Sequence, residues 1–223
     1  MGQQKIHTKL STYRYEFLLI ALLLLIFDKI FFPDNTIYLM YVWPLNMVII
    51  SIACFGIFME HGSWVKVVRN VLSTISIMMP FGFMFLVATT TWFISVLTVF
   101  FIFYYTFIFG IVMYQITKSK EVRVNVIIGS FCGYMLLSMI SLFSYLAIEL
   151  HFPKSFHGIS YDNISIVYNE MSYFSFVTLT SIGFGDIYPI TDMARLTTAF
   201  FGMIGQFYMV AVVGIVISKF SSR

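Results

Sequence analysis

The sequence predicts an all-α membrane protein: six transmembrane helices, with a short re-entrant helix and an irregular polar segment between the fifth and the sixth. Three observations predict it. The composition is 60% hydrophobic and 10% charged, with a mean hydropathy of +0.91, whereas soluble domains carry about 25% charged residues. Too few polar groups remain to cover a globule of 223 residues, so lipid must solvate the chain. Six segments are apolar over the roughly 20 residues that a helix needs to cross a hydrocarbon core. Between the last two lies "TLTSIGFGDIYP", residues 178–189, which sets glycines, hydroxyls and a carboxylate among hydrophobic runs.

The predicted spans are 15–32, 36–59, 71–88, 91–115, 122–150 and 193–220. They are separated by "FFPDN", "EHGSWVKVVRN", "ATTT", "TKSKEVR" and the long connection 151–192. Pro44 and Pro80 fall inside the second and third spans, where kinks are expected and a membrane bundle tolerates them. The first apolar run, Phe17–Phe27, has no small-residue cleavage site and is followed by five more such segments. It therefore reads as a span rather than a signal peptide.

Basic residues set the orientation. With a cytoplasmic N-terminus, the inner flanks hold Lys5, Lys9, Arg14, Lys66, Arg69, Lys118, Lys120, Arg123, Lys219 and Arg223. The outer flanks hold only Lys29, Lys154 and Arg195, a division of ten against three. Both termini are thus expected inside a cell membrane, and the connection 151–192 outside.

Other functional classes find little support. A formal charge of +3 is small, and no basic tract interleaved with aromatics points to nucleic acid. Cys54 and Cys132 lie in apolar runs and read as buried free thiols. His7, His61, His151 and His157 sit in flanks or loops without ligand spacing and read as solvated. No catalytic dyad, organic-cofactor motif or Gly-rich phosphate loop occurs.

The long connection opens with "HFPKSFHGISYDN", a polar external loop. "SIVYNEMSYFSFVTL" follows as a short amphiphilic helix that cannot span. Irregular backbone at membrane depth is tolerated only where it is buried or lines an aqueous path. Gly183 and Gly185, one residue apart, permit conformations that bulkier residues resist, so that successive carbonyls can face one axis. Several copies around that axis would give rings of oxygens able to replace a cation's hydration shell.

Thr180-Ser181-Ile182-Gly183-Phe184-Gly185-Asp186 resembles T-T-V-G-Y-G-D, the signature of the tetrameric potassium channels. The resemblance covers the pore module, roughly 122–220; it covers the first four spans only by topology. It implies a potassium-selective homotetramer: each chain joined by three identical subunits in a lipid bilayer, with potassium ions as cargo. Ser181 would bind an ion through its hydroxyl and carbonyl, and Ile182, Gly183 and Phe184 through their carbonyls. Gly185 completes the filter, and Thr180 supports it. The side chains of Ile182 and Phe184 are expected to point away from the ions. Gly205, twenty residues after Gly185, stands where the family commonly has a hinge, a place that close helix packing explains equally well.

Three positions depart from the family pattern. Ser181 stands where threonine is usual, and loses the methyl that limits its rotamers. Phe184 replaces tyrosine and loses a hydroxyl. Val177 stands where some members carry a glutamate partner for the residue equivalent to Asp186, leaving Tyr173 as the candidate to hold that carboxylate. Asp186 itself has two readings: a tether through Tyr173, or part of an acidic outer mouth that concentrates cations. Seven acids (Asp28, Asp34, Glu149, Asp162, Glu170, Asp186, Asp192) face three bases on the outer side.

The fourth span has no arginine or lysine before Lys118. A voltage sensor needs several, because each charge moved through 100 mV supplies only about 2.3 kcal/mol. The expected organisation is a cytoplasmic N-terminus (1–14), a four-helix sensor-like domain without gating charges (15–117) and a pore domain (118–223). Control would then come from the filter, from bilayer forces or from a separate regulatory protein. The rival readings are a non-selective cation channel, a transporter or membrane enzyme with a re-entrant loop, and a non-conducting scaffold.

Overall fold

A computed structural model describes residues 13–57, 63–86, 91–119, 124–162 and 164–221. Most of the expected N-terminal segment, together with His7, His61, Lys120, Arg123 and Arg223, lies outside the described residues. The chain is mostly helical and divides into two compact units. One comprises Met1–Thr89 and Phe107–Gly133, the other Thr90–Thr106 and Tyr134–Arg223.

In the first unit, α1 (Arg14–Phe27) buries Tyr15, Leu18, Leu22 and Leu25, which recur at helical spacing. It tightens into a 3-10 turn at Asp28–Ile30, ahead of Pro33. The Asp34 carboxylate accepts the Ile37 N–H at 3.1 Å and starts the next helical run. That run is wound in π form over Tyr38–Val42 and continues as α2 (Trp43–Ile57). Pro44 has no N–H to donate back to residue 40, which accounts for the irregular winding ahead of it. α2 packs between α1 and α3 (Ser63–Leu86). The Asn46 side chain donates to buried Asp28, so the acid at the end of α1 is held by α2. α3 starts at Ser63 rather than at residue 71, because Lys66 and Arg69 are good helix formers and do not interrupt it.

Tyr15 also organises the rest of this unit. Its hydroxyl donates to Gln115 at 2.7 Å, and its carbonyl accepts a weak bond from the Cys132 thiol. A Cβ at Gly129 would come within 3.1 Å of the Tyr15 ring, so glycine there lets the ring lie close to the helix. Cys54 and Cys132 are buried and not joined in a disulfide, as their apolar surroundings imply.

α4 (Thr91–Lys118) and α5 (Val124–His151) each contribute to both units. Over Phe93–Lys118 and Val124–His151 they are long and apolar enough to cross a membrane; Trp43–Cys54 and Val67–Met78 are shorter apolar helices. A 28-residue helix is about 42 Å long. These helices and the composition are those of an all-α membrane protein.

The second unit is built on aromatic rings. Phe101 and Tyr105 of α4 stack on Phe143 of α5 at 5.1 and 5.6 Å. Tyr145 meets Phe174 of α6 (Ile164–Leu179) at 5.1 Å and Phe201 of α7 (Asp192–Ser221) at 5.7 Å. Such pairs add about 0.5–1.5 kcal/mol each beyond the area they bury. The rings of the fourth predicted span are thus partly inter-helix packing, while Phe103 is exposed. Polar contacts fix α6 against α5: Ser175 Oγ, fully buried, donates to the Ser138 carbonyl at 2.6 Å and lies 2.7 Å from Ser141 Oγ. The segment between α6 and α7 is therefore presented by a well-anchored short helix.

Candidate functional site

The end of α6 decides how the segment after it is aimed. The Thr180 hydroxyl donates back to the Phe176 carbonyl at 2.6 Å. Ser181 N–H bonds the Thr178 carbonyl at 3.1 Å, and Ile182 N–H bonds the Val177 carbonyl at 3.0 Å. This paired 5→2 and 6→1 pattern, with Ser181 left-handed at φ 57°, is a Schellman cap. The Gly183 N–H also reaches the Val177 carbonyl, at 3.4 Å. Val177, buried by its side chain, thus holds the next turn of chain through its backbone.

Beyond the cap the backbone alternates. Ser181, Gly183 and Gly185 have φ of 57°, 60° and 80°, while Ile182 and Phe184 between them are not left-handed. Alternation of this kind turns successive peptides the same way, collecting N–H groups on one edge and carbonyls on the other. Ordinary extended strand would alternate them instead. Glycine at 183 and 185 makes the two later left-handed positions cheap. The side chains of Ile182 and Phe184 are exposed in the single chain.

The end of the segment that leads into α7 is fixed from three directions. Phe184 lies parallel to Tyr173 of α6, at 6.4 Å between ring centres and 2° between planes. Tyr173 is hydrogen-bonded to Asp186, and this bond holds the Asp186 carboxyl below its ordinary value. β2 (Tyr188–Pro189) pairs antiparallel with β1 (Phe156–His157), and Ile190 N–H bonds the Ser155 carbonyl at 2.7 Å. Gly158, at φ 86°, lies so close to the Asp186 backbone that a Cβ would sit 2.2 Å from its carbonyl oxygen.

Glu149 anchors the preceding loop. It is buried at the end of α5, where the helix dipole disfavours a carboxylate. It is stabilised there by the N–H groups of Lys154 (2.5 Å) and Phe156 (3.1 Å) and by the Tyr161 hydroxyl (2.7 Å). Burial, then the bond to Glu149, raises the Tyr161 hydroxyl above its ordinary value. His157 stacks on Tyr188 at 4.7 Å, and both His151 and His157 are exposed.

At the other end of the segment, α7 runs close to the end of α6. A Cβ at Gly205 would sit 2.8 Å from the Leu179 carbonyl oxygen and 3.0 Å from its Cδ2; one at Gly202 would sit 3.9 Å from Thr178 Cγ2. Gly205 thus has a packing reason to be glycine. One residue on, the Gln206 side-chain amide donates to Ser181 Oγ.

Tyr173, Val177, Thr180 to Asp186 and Gly205 therefore converge in the second unit. Sequence patterns do not reveal the roles of Gln206, Gly158 and Glu149, the last of which the sequence shows only as one of the acids expected on the outer side. Gln206 carried a signal of its own, an amide inside a predicted apolar span, whereas the other two show their roles only once the loop is folded. Among the described residues, no group of three His, Cys, Asp or Glu side chains could hold a metal ion. No curated protein and no solved structure matches the chain. Residues 121–222, which carry α5, α6, the alternating segment and α7, match the family model described as an ion channel.

Proposed function

We propose that the chain is one subunit of a homotetrameric potassium channel: six spans in a cell membrane, both termini cytoplasmic, residues 118–223 forming the pore. The observation that carries this reading is the left-handed alternation at Ser181, Gly183 and Gly185, inside the stretch that matches an ion channel. One chain supplies a single line of carbonyls. A dehydrated cation needs oxygens on all sides, so several copies must surround the axis. An uncovered row on α7 (Leu196, Phe200, Met203, Phe207 and Val210) supports packing against other copies.

Liposomes loaded with potassium or sodium test the reading. Potassium flux should exceed sodium flux by a large factor, and barium, close to potassium in size, should block it. Equal fluxes would favour a non-selective cation channel, to which the serine at position 181 lends some support. Flux of neither ion would end the channel reading.

The first four helices are proposed as a sensor-like domain that senses no voltage, since α4 has no Lys or Arg before Lys118. Open probability should change only shallowly over 100 mV, each missing charge forfeiting about 2.3 kcal/mol. A steep activation curve in planar bilayers would contradict this.

A further inference from the structure

We propose that Gln206 is a specificity-determining positioning residue, which holds the Ser181 hydroxyl and thereby shapes the innermost cation site. The inference rests on the channel reading and adds to it a residue outside the TSIGFGD segment.

Two independent features lead to it. The first is the conformation of Ser181. It occupies the left-handed position of the Schellman cap, at φ 57°, where glycine is the usual residue. Serine there keeps a hydroxyl that glycine would lose. The cost of that choice is rotational. Serine lacks the methyl that restricts χ1 in threonine, so its hydroxyl has three open rotamers. Unless something holds it, the oxygen facing the cation path is undefined.

The second feature is the approach of α7. Gly202 and Gly205, one turn apart, face Thr178 and Leu179, and the missing side chain at 205 lets α7 come against the Leu179 carbonyl. This proximity brings the next residue, Gln206, to the end of α6, where its amide donates to Ser181 Oγ. A hydroxyl oxygen has two acceptor lone pairs. With one engaged by the Gln206 N–H, the rotamer is fixed and the other remains for a cation. Gln206 does not itself touch the ion in this scheme. It acts through Ser181, and it also joins the filter entrance directly to α7.

The test compares wild type, Gln206→Met, Ser181→Gly and the double variant in potassium- and sodium-loaded liposomes. Gln206 is exposed in the single chain, and methionine keeps its length and helix propensity, so assembly should persist. Elution volume and melting temperature check it. Gln206→Met should lower the potassium-to-sodium flux ratio at least about fivefold, the scale of one ordinary hydrogen bond, since all four copies lose theirs at one site. In the Ser181→Gly background, where no hydroxyl remains to be held, the same substitution should change nothing further. If Gln206→Met fails to assemble, Gln206→Ala, with the best helix former at the same place, carries the same comparison. A variant ratio equal to that of wild type overturns the proposal. So does an equal loss in the Ser181→Gly background, which would mark Gln206 as a general support of α7. A wild type without selective flux sinks the channel reading along with this inference, whereas a selective wild type with an indifferent Gln206 sinks the inference alone.

Discussion

Gly183→Ala should abolish selective potassium conduction while leaving a folded, assembled protein. Gly183 has φ 60°, and an added Cβ would meet nothing within 4 Å in the chain. The penalty is therefore conformational rather than steric: roughly 1–2 kcal/mol for each L-residue forced left-handed. In a tetramer the four copies share one axis, so the strain sums to about 4–8 kcal/mol. Relaxing it rotates the peptides that aim the carbonyls. Ser181 shows that an L-residue can occupy such a conformation here, but Ser181 is fixed by the cap and by Gln206. The Gly183 N–H, by contrast, donates a long bond to the Val177 carbonyl, at 3.4 Å. The check is paired: size-exclusion elution to show assembly, then potassium and sodium flux. An assembled Gly183→Ala protein with unchanged potassium flux and selectivity would mean that this segment does not select ions.

The parts of this arrangement that were legible in the sequence are those written locally. Two glycines one residue apart announce special backbone, and the amphiphilic stretch "SIVYNEMSYFSFVTL" before them announces a helix too short to span. Asp186 was legible as a carboxylate needing a partner, with Tyr173 thirteen residues earlier as a candidate. What stayed hidden depends on pairs far apart in the chain. Gln206 meets Ser181 across 25 residues, and Gly205 meets Leu179 across 26. Neither pair follows from periodicity, because either could face lipid until the crossing of α7 and α6 is known. α4 illustrates the same limit. It is apolar all round, so the choice between buried Phe101 and exposed Phe103 is made by the rings of α5 and not by any pattern in α4 itself. The start of α3 lies ahead of the expected span 71–88 for another reason: apolarity marks where a helix can enter lipid, whereas the helix extends as far as its hydrogen bonds do.

The roles open to Asp186, tether and cation attractor, are separated by two substitutions. Asp186→Asn keeps a hydrogen-bonding head and removes the charge; Tyr173→Phe keeps the ring that lies against Phe184 and removes the hydroxyl. The hydrogen bond between the two side chains makes tethering the larger expected effect. Both variants should then lose conduction during sustained recording, at any ionic strength, while wild type stays steady. Attraction predicts a different pattern: Asp186→Asn alone should pass less inward current at about 0.01 M salt, where screening extends over some 30 Å, and recover near 1 M, where it extends over about 3 Å. Acidification gives an independent reading of the tether. Its carboxyl titrates below the ordinary value of 3.8, so the bond's contribution is complete above that pH and is lost as pH falls through the lower, folded-state value. Wild-type conduction should therefore hold steady as the outer solution goes from neutral to pH 5 and begin to decay only in stronger acid, below about pH 4. Decay already between pH 7 and 5 would assign the loss to another group. If Asp186→Asn conducts like wild type at every salt concentration and over minutes, the carboxylate has neither role, and the Phe184–Tyr173 stack, the Gly158 contact and the β1–β2 pairing hold this end of the segment without it.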